Sequence, residues 1–451
     1  MAEPEVDIDD DDVGDIAIPA GPSTSKFFET VQDDFTELTF TDFSHLDEPV
    51  PGESDDDDDT RSIAARRLKG RRQRKKNHRR IVVSLCSCKY DVVAQAARGL
   101  GWRCTIDENE EYNLLWNDSY VPFDTIAALN KYQKTNHFPG MSELAKKNLL
   151  AKNLNRIAKA LPGEFGFVPP TFILPGEAEP LKNWFQSQVR NSPRPRRAHV
   201  FCLFVCMRAR APVPRPLFSL THISDPPLLQ KRRPTLILKP DAGCQGRGIF
   251  LTKSLDQCLE VEGMIAQQYL PAPLLVDGYK FDMRLYVLVT SVSPLRVLLF
   301  KEGLARFCTE RYRAPNESNM EDTYMHLTNF AINKHHEEFT IDEGGDGGHK
   351  RSISSLFAWL KQNGFPTERI WQQIRALIVK TLLAVQPHLN HVYHSLLGDD
   401  NVGFSCFEIL GFDVLLDRKG KPWLLEVRMH THTCLCQCTT LTHTALPCAN
   451  R

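Results

Sequence analysis

A lysine that ends a short aliphatic run and is followed at once by glycines is suited to holding phosphate. Residues 236–249 read LILKPDAGCQGRGI. Lys239 offers a compact positive charge, Gly243, Gly246 and Gly248 let backbone N–H groups fold closely over a ligand, and Gln245 and Arg247 add side-chain donors. The order excludes a P-loop, which places its lysine after the glycines. Read alone, the stretch also fits a glycine-rich hairpin turn.

Acidic residues elsewhere complement this cradle. Residues 407–416, FEILGFDVLL, turn at Gly420 into residues 423–427, WLLEV, which predicts an antiparallel hairpin with Asp413 on one strand and Glu426 on the other. Both carboxylates are set among apolar neighbours, and buried carboxylates need a partner, of which a divalent cation is the usual one. Residues 280–284, KFDMR, open a further strand-like run, LYVLVT. A lysine and glycine loop for phosphate with paired acids for Mg2+ is the equipment of a nucleotide-using enzyme.

With these residues in place the chain resembles the tubulin tyrosine ligase-like family, built on the ATP-grasp fold. KPDAGCQGRGI, AQQYLPAPLLVDGYKFDMRLYVLVTS, EGLARF, MHLTNFAINKH and CFEILGFDVLLDRKGKPWLLEV are similar to that family's signature blocks, in its order, and nearest to its tubulin polyglutamylase branch. The resemblance covers roughly residues 81–427 apart from one foreign-looking segment. It implies an α/β (α+β) fold: an ATP-grasp with an N-terminal α/β domain and central and C-terminal lobes that clamp ATP.

The same resemblance implies an ATP-dependent ligase that joins L-glutamate to glutamate side chains of tubulin tails through an acyl-phosphate intermediate. Lys239, Arg306 and Lys334 take the catalytic positions. Lys239, Gln245, Gly246, Arg247, Gln267, Gln268, Tyr269, Leu270, Lys280, Phe281, Asp282, Thr328 and Asn329 match ATP contacts. Gln245, Arg306, Ala331, Lys334 and Lys350 match contacts to glutamate or the tubulin tail, with Arg306 gripping the carboxylate of free glutamate through two parallel hydrogen bonds. Asp413 and Glu426 match ligands of Mg2+. The implied partners are microtubules and free glutamate, with no nucleic acid or membrane, for a monomer of the cytoplasm and cytoskeleton, including cilium and basal body. A glycine or tyrosine ligase of the same family is an alternative, as is a pseudo-enzyme that binds ATP or microtubules without turnover.

The elements that must position these residues are legible by periodicity. Residues 81–85 and 112–116 read as strands and 90–100 as a helix stopped by Gly101, the start of an α/β unit. Residues 141–161 read as one helix stopped by Pro162 and Gly163, after the family block NHFPGM at residues 136–141. Residues 264–270 match the strand and hinge where backbone groups meet adenine. Residues 353–362 and 368–393 read as helices, the second presenting Ile370, Ile374, Leu377, Ile378 and Leu382 to the core.

Composition is ordinary for two or three globular domains, but a net charge of −1 hides an asymmetry. Residues 1–60 are acidic and residues 66–80 dense in Arg and Lys, so residues 1–80 are expected to be a disordered tail. The basic run suits a nuclear localisation signal, a nucleic-acid patch, a contact for an acidic polymer or a merely solvated flank. No apolar h-region opens the chain and no run of apolar residues is long enough to span a bilayer, so a cytosolic protein with reduced thiols is expected from its 13 scattered cysteines.

Two stretches depart from the family. Residues 190–233, rich in Pro and Arg with an apolar VFCLFVC patch, are read as an insertion that must loop out, which divides the rest into domains at 81–189 and 234–427. After Val427 the family continues with an asparagine that ligates metal, whereas this chain has Arg428 and a divergent His, Cys and Thr tail over 428–451. The tail lacks the spacing of a structural zinc site and is expected to be disordered. A guanidinium cannot coordinate, so Arg428 is expected to pair with Glu426 or with phosphate in the cation's stead, to weaken Mg2+ binding and to leave little or no ligase activity.

Overall fold

The computed structural model describes residues 35–38, 81–191, 233–241, 243, 245–342, 347–398 and 403–429, arranged on three sheets. Strand β1 (Phe35–Leu38) belongs to the largest of them, far along the chain. Strands β2 (Val82–Ser87), β3 (Arg103–Thr105), β4 (Leu114–Asn117) and β5 (Lys134–Thr135) pair in parallel in the order β3-β2-β4-β5. Helix α1 (Asp91–Gly99) makes the crossover from β2 to β3, burying Val93, Ala94 and Ala97. Gly101 then takes a φ of 75°, which ends the helix as expected.

After α2 (Phe123–Ala127), the single helix expected over 141–161 is two: α3 (Ser142–Ala145) and α4 (Lys147–Ala160). Lys146 between them is extended, with φ −80° and ψ 127°. Asn153 of α4 donates to the Glu143 carboxylate at 2.6 Å and to its carbonyl at 3.3 Å, holding α3 against the side of α4. Apolar periodicity carries no mark of such a side-chain clamp, so one long helix and two short ones read alike.

The second sheet is antiparallel, in the order β6-β9-β7-β8: β6 (Thr171–Leu174), α5 (Ala178–Asn191), β7 (Leu236–Pro240), β8 (Phe250–Thr252), α6 (Leu255–Leu259) and β9 (Met264–Gln268) follow in sequence. Leu181 and Phe185 of α5 pack on Leu236, Leu238 and Ala266. α5 takes in Arg190 and Asn191, the first residues of the expected insertion, and residues 192–232 lie outside the described residues.

The third sheet has seven strands, β10 (Leu275–Val276), β11 (Tyr279–Val292), β12 (Leu295–Arg311), β13 (Lys350–Ser352), β14 (Glu408–Leu416) and β15 (Pro422–Met429), with β1 at the β12 edge. The short helices α7 (Thr323–His326) and α8 (Phe330–Asn333) follow β12. Then α9 (Ile353–Gln362), α10 (Thr367–Leu383) and α11 (Gln386–Leu397) cover the back of the sheet. Ile370, Ile374, Leu377, Ile378 and Leu382 are buried there with Phe281, Phe307 and Phe412. The helix expected over 368–393 divides because Pro387 lacks an N–H and fits only the first turn of a new helix, α11.

Two expected tails are shorter than composition suggested. Phe35–Leu38 pairs antiparallel with β12, Phe35 opposite Phe300 and Leu38 opposite Val297, because the edge of β12 offers a row of backbone donors and acceptors that four extended residues can satisfy. An average over an acidic run hides so short a β-forming stretch. β15 likewise continues past Val427, with Arg428 opposite Gly411 and Met429 opposite Leu410. The rest of residues 1–80 and residues 430–451 lie outside the described residues. Among the described residues no helix is long and apolar enough to cross a membrane.

Candidate active site

Alternation along strands sets the chemistry of this site. In β7, Leu236 and Leu238 face the α5 core, so Ile237 and Lys239 face the other way, into a cleft between the second and third sheets. In β11 the same rule turns Lys280, Asp282 and Arg284 to one face, while Phe281 and Met283 enter the core. Phe281, expected at the nucleotide, has its ring 5.3 Å from that of Phe307 on the far side of the sheet.

Lys239 is 6% exposed and Lys280 is 7% exposed, and neither is in an ion pair among the described residues. Lys239 donates to the Gln267 side-chain oxygen at 2.8 Å and reaches the Leu425 carbonyl at 3.5 Å. Gln267 is held in turn by donating to Thr171 at 3.0 Å. Lys280 donates to the His326 carbonyl at 2.6 Å and the Tyr269 hydroxyl at 3.1 Å. Burial pushes the Lys239 ammonium down to about 8, against an opposing pull from Glu426, and burial also lowers Lys280. Burial and Lys280 hold His326 down to about 4, so its ring is neutral. Its Nε2 donates to the Asn319 carbonyl at 2.9 Å, which leaves Nδ1 to accept from Tyr269 at 3.0 Å.

Opposite the lysines lies a network of arginines and acids. Arg306 donates to both oxygens of Asp282, at 2.8 and 2.5 Å, and to Asp413 at 2.8 Å. Arg284 donates to both oxygens of Asp413, the Nη2 bond being 3.0 Å. Glu426 stands opposite Asp413 in the β14–β15 pairing and accepts from Arg428 Nε at 2.7 Å. Burial alone would raise Asp413, but Arg284 and Arg306 outweigh it and hold the carboxyl well below the usual range. Burial would likewise lower Arg306, and Asp282 and Asp413 outweigh it upward.

Most of the expected site residues thus meet in one cleft. Lys239, Gln267, Gln268, Tyr269 and Leu270 line it from the second sheet, Lys280, Asp282, Arg306, Asp413 and Glu426 from the third, and Thr328 and Asn329 from the turn between α7 and α8. Arg306 and Thr328 also line an adjoining hollow with Lys350, which is opposite Arg306 in the β12–β13 pairing. Ala331 on α8 and exposed Lys334 at its end line neither.

Gln245, Gly246 and Arg247 sit in a loop beside the cleft, with Arg247 donating to Gln245 at 3.3 Å. Lys147 at the start of α4 donates to the Gly243 carbonyl at 2.9 Å, and Asn148 to Asp241 at 3.3 Å, so the break before α4 also anchors this loop. Gly246 has φ 85°, and a Cβ there would lie 2.5 Å from Ile332 Cδ1 and 3.2 Å from Asn329. Gly246→Ala is therefore expected to cost ~1–2 kcal/mol from the left-handed backbone and to weaken nucleotide binding by pushing Asn329. Calorimetric unfolding and titration check it, with Gly163→Ala, open on all sides, as the unaffected control.

Arg284, His326 and Asn333 were not among the expected site residues. Arg284 was signalled by its place two residues beyond Asp282 on one strand. Asn333 accepts from Thr309 N at 3.0 Å and donates to the Leu327 carbonyl at 2.8 Å, tying the turn of Thr328 and Asn329 to β12; nothing local marks that role.

Among known proteins, the description of the tubulin-tyrosine ligase family matches residues 125–444. The protein named tubulin polyglutamylase ttll6 of Danio rerio is 42% identical over 348 residues, 77% of this chain and 39% of that protein. Tubulin polyglutamylase TTLL13 of Mus musculus is 40% identical over 349 residues, 77% and 38% of the two chains. Tubulin polyglutamylase TTLL7 of Xenopus tropicalis is 37% identical over 349 residues, 77% and 34%. The chain therefore spans well under half the length of these relatives.

Proposed function

The chain belongs to the tubulin-tyrosine ligase family, and from that premise we propose that it is an ATP-dependent ligase joining L-glutamate to glutamate side chains on the acidic tails of tubulin. The observation that carries the reading is the pair of buried lysines, Lys239 and Lys280, whose described hydrogen bonds go only to neutral oxygens. The acids of the same cleft are bonded to arginines rather than to these lysines, so two buried ammonium groups without a directly bonded carboxylate are costly until an anion arrives, and a polyphosphate supplies one. The fold is read as an ATP-grasp, with an N-terminal domain over 81–189 and lobes over 234–427 whose two sheets close on ATP.

In this reading Ile237 and Ile249 flank the base, residues 267–270 meet its edge, and Thr328 and Asn329 meet the sugar and phosphates. The reaction moves the terminal phosphoryl group of ATP to a tail carboxylate. The amine nitrogen of glutamate then attacks that carbonyl carbon, and phosphate leaves with the electron pair of the broken C–O bond. Lys239 and Lys280 neutralise phosphate charge during both steps. The bonds of Arg306 to Asp282 and Asp413 use Nε and Nη2, so Nη1 is the edge offered to the glutamate carboxylate, beside Lys350. Gln245, Ala331 and Lys334 would meet the tail, although none of them lines the cleft or the hollow. Glutamate is favoured over glycine or tyrosine because the relatives above are named polyglutamylases. The protein would act as a monomer on microtubules of the cytoplasm and cilium.

Mg2+ fits the acids less well than ATP fits the lysines. Both oxygens of Asp413 are engaged by Arg284, and Glu426 by Arg428, so the side chains as arranged hold guanidinium groups where a metal needs oxygen ligands. The ion pair of Arg428 with Glu426 favours a second reading, a protein that binds ATP and tubulin with impaired turnover. One experiment separates them: purified chain is incubated with microtubules, ATP and labelled glutamate. Low incorporation, raised only in part by Arg428→Asn, is expected, because the residues after 428 still depart from the family. Robust incorporation by the unmodified chain, with the Mg2+ dependence of an active relative, would overturn the role given to Arg428.

The depressed Lys239 sets a pH dependence. The ammonium is charged below about 8, so ATP affinity is expected to be flat at lower pH and to fall as pH rises through that value, by roughly tenfold over a unit. Stability without ATP moves the other way. Between about 8 and the ordinary lysine value of 10.5 the unfolded chain binds the extra proton, so stability rises with pH across that window. Calorimetry of binding and of unfolding, each compared with Lys239→Met, reads the two opposite slopes.

A further inference from the structure

The parallel sheet has unlike faces. Leu115 of β4 packs against the main core, while its neighbours Leu114 and Trp116 face the other side, where α1 covers part of the sheet. Beside α1 remains a groove of about 560 Å³ walled by Val92, Ala96, Leu100, Leu114, Trp116 and Phe407. Parallel sheets are covered on both faces in folded proteins, and an uncovered apolar wall of this size marks a docking surface.

The path of the chain names the occupant. Leu38 is opposite Val297, so β1 hands the chain on beside Arg296. The Arg296 guanidinium is 5.6 Å from the Phe404 ring, and Lys134, which lines the groove, is 5.8 Å from the same ring and donates to the Phe404 carbonyl. The described chain resumes at Ile81, which also lines the groove and is 41% exposed. Residues 39–80, which lie outside the described residues, connect Leu38 to Ile81 at the groove's wall. Their bulky side chains nearest β1 are Phe40, Phe43, Leu46 and Val50, spaced as along one face of a helix, and no Phe, Tyr or Trp occurs in residues 51–80. Asp42, Asp47 and Glu48 between them complement Lys134 and Arg296 at the rim.

We propose that residues 39–51 of this chain dock in the groove between α1 and β4, strapping the parallel sheet to the large sheet that β1 joins. Burying two phenylalanines and a leucine there protects the elements beneath. In the full chain, the combined substitution Phe40→Ser, Phe43→Ser and Leu46→Ser is expected to speed amide hydrogen exchange in α1 and β4 by roughly tenfold or more, with β11 unchanged. A synthetic peptide of residues 39–51 restores protection to that variant. Ala96→Trp, which fills the groove from α1, is expected to expose residues 39–51 to protease in an otherwise folded chain, and decides the matter should the triple variant also loosen β11. Unchanged exchange in α1 and β4, or unchanged cleavage in Ala96→Trp, overturns the proposal. Protection in the unsubstituted chain that depends on protein concentration also overturns it, assigning the groove to a second copy.

Discussion

Lys239→Ala is expected to lose ATP binding while leaving the fold at least as stable as before. The ammonium is buried, its bonds reach only the Gln267 side chain and the Leu425 carbonyl, and burial already pulls its proton loose. In the absence of ligand that charge is a cost, so removing it relieves the protein; under the proposed function it faces phosphate when ATP is bound. Truncating one member of such a buried charge pair costs ~2–5 kcal/mol, or roughly 30-fold to several thousand-fold in affinity. Lys239→Met, which keeps the aliphatic stem, separates charge from volume. Isothermal titration with ATP and thermal unfolding with and without ATP read both effects, and equal ATP affinity in the variant and the unsubstituted chain would remove the lysine from the site.

Arg306→Ala is expected to have the largest effect on the protein as a whole. The guanidinium grips Asp282 through two bonds and shares Asp413 with Arg284, so its removal strips the described ion pair from Asp282 in a nearly dry site. Breaking a buried pair on one side costs ~3–5 kcal/mol. The same substitution is expected to raise the requirement for glutamate far more than that for ATP, because Arg306 lines the hollow shared with Lys350. Arg306→Lys keeps the charge but not the planar fork and should recover part of the stability and little of the glutamate requirement. Two-substrate kinetics with each nucleotide and amino-acid concentration varied in turn decide it: if both requirements rise alike, the arginine serves the fold and not the amino acid.

Local pattern was enough for much of the architecture. The run LILK before glycines, the alternation in KFDMRLYVLVT and the FEILGFDVLL hairpin each specify a strand and the face its polar residues take, since side chains on a strand alternate whatever the partner strand is. The same alternation places Lys239, Lys280, Asp282 and Asp413 on the cleft side of their strands, with apolar neighbours behind them. Boundaries were less legible where a single side chain decides them. The clamp of Asn153 on Glu143 and the proline after Gln386 each divide a helix that periodicity reads as continuous.

Partnership was decided by the tertiary structure alone. Nothing in the order of residues tells that Arg284 and Arg306, from different strands, converge on one aspartate, or that the acid expected to hold a metal is already held by guanidinium. Nor does composition tell that four residues of an acidic stretch complete the edge of a sheet whose strand lies more than two hundred positions away. The sequence by itself determined which side chains are cationic, anionic or small, and which face of each strand they occupy, because those follow from residue type and a two-residue period. Only the packed sheets decided which charges neutralise one another and which remain for a ligand, because a charge pair depends on distances between strands far apart in the chain.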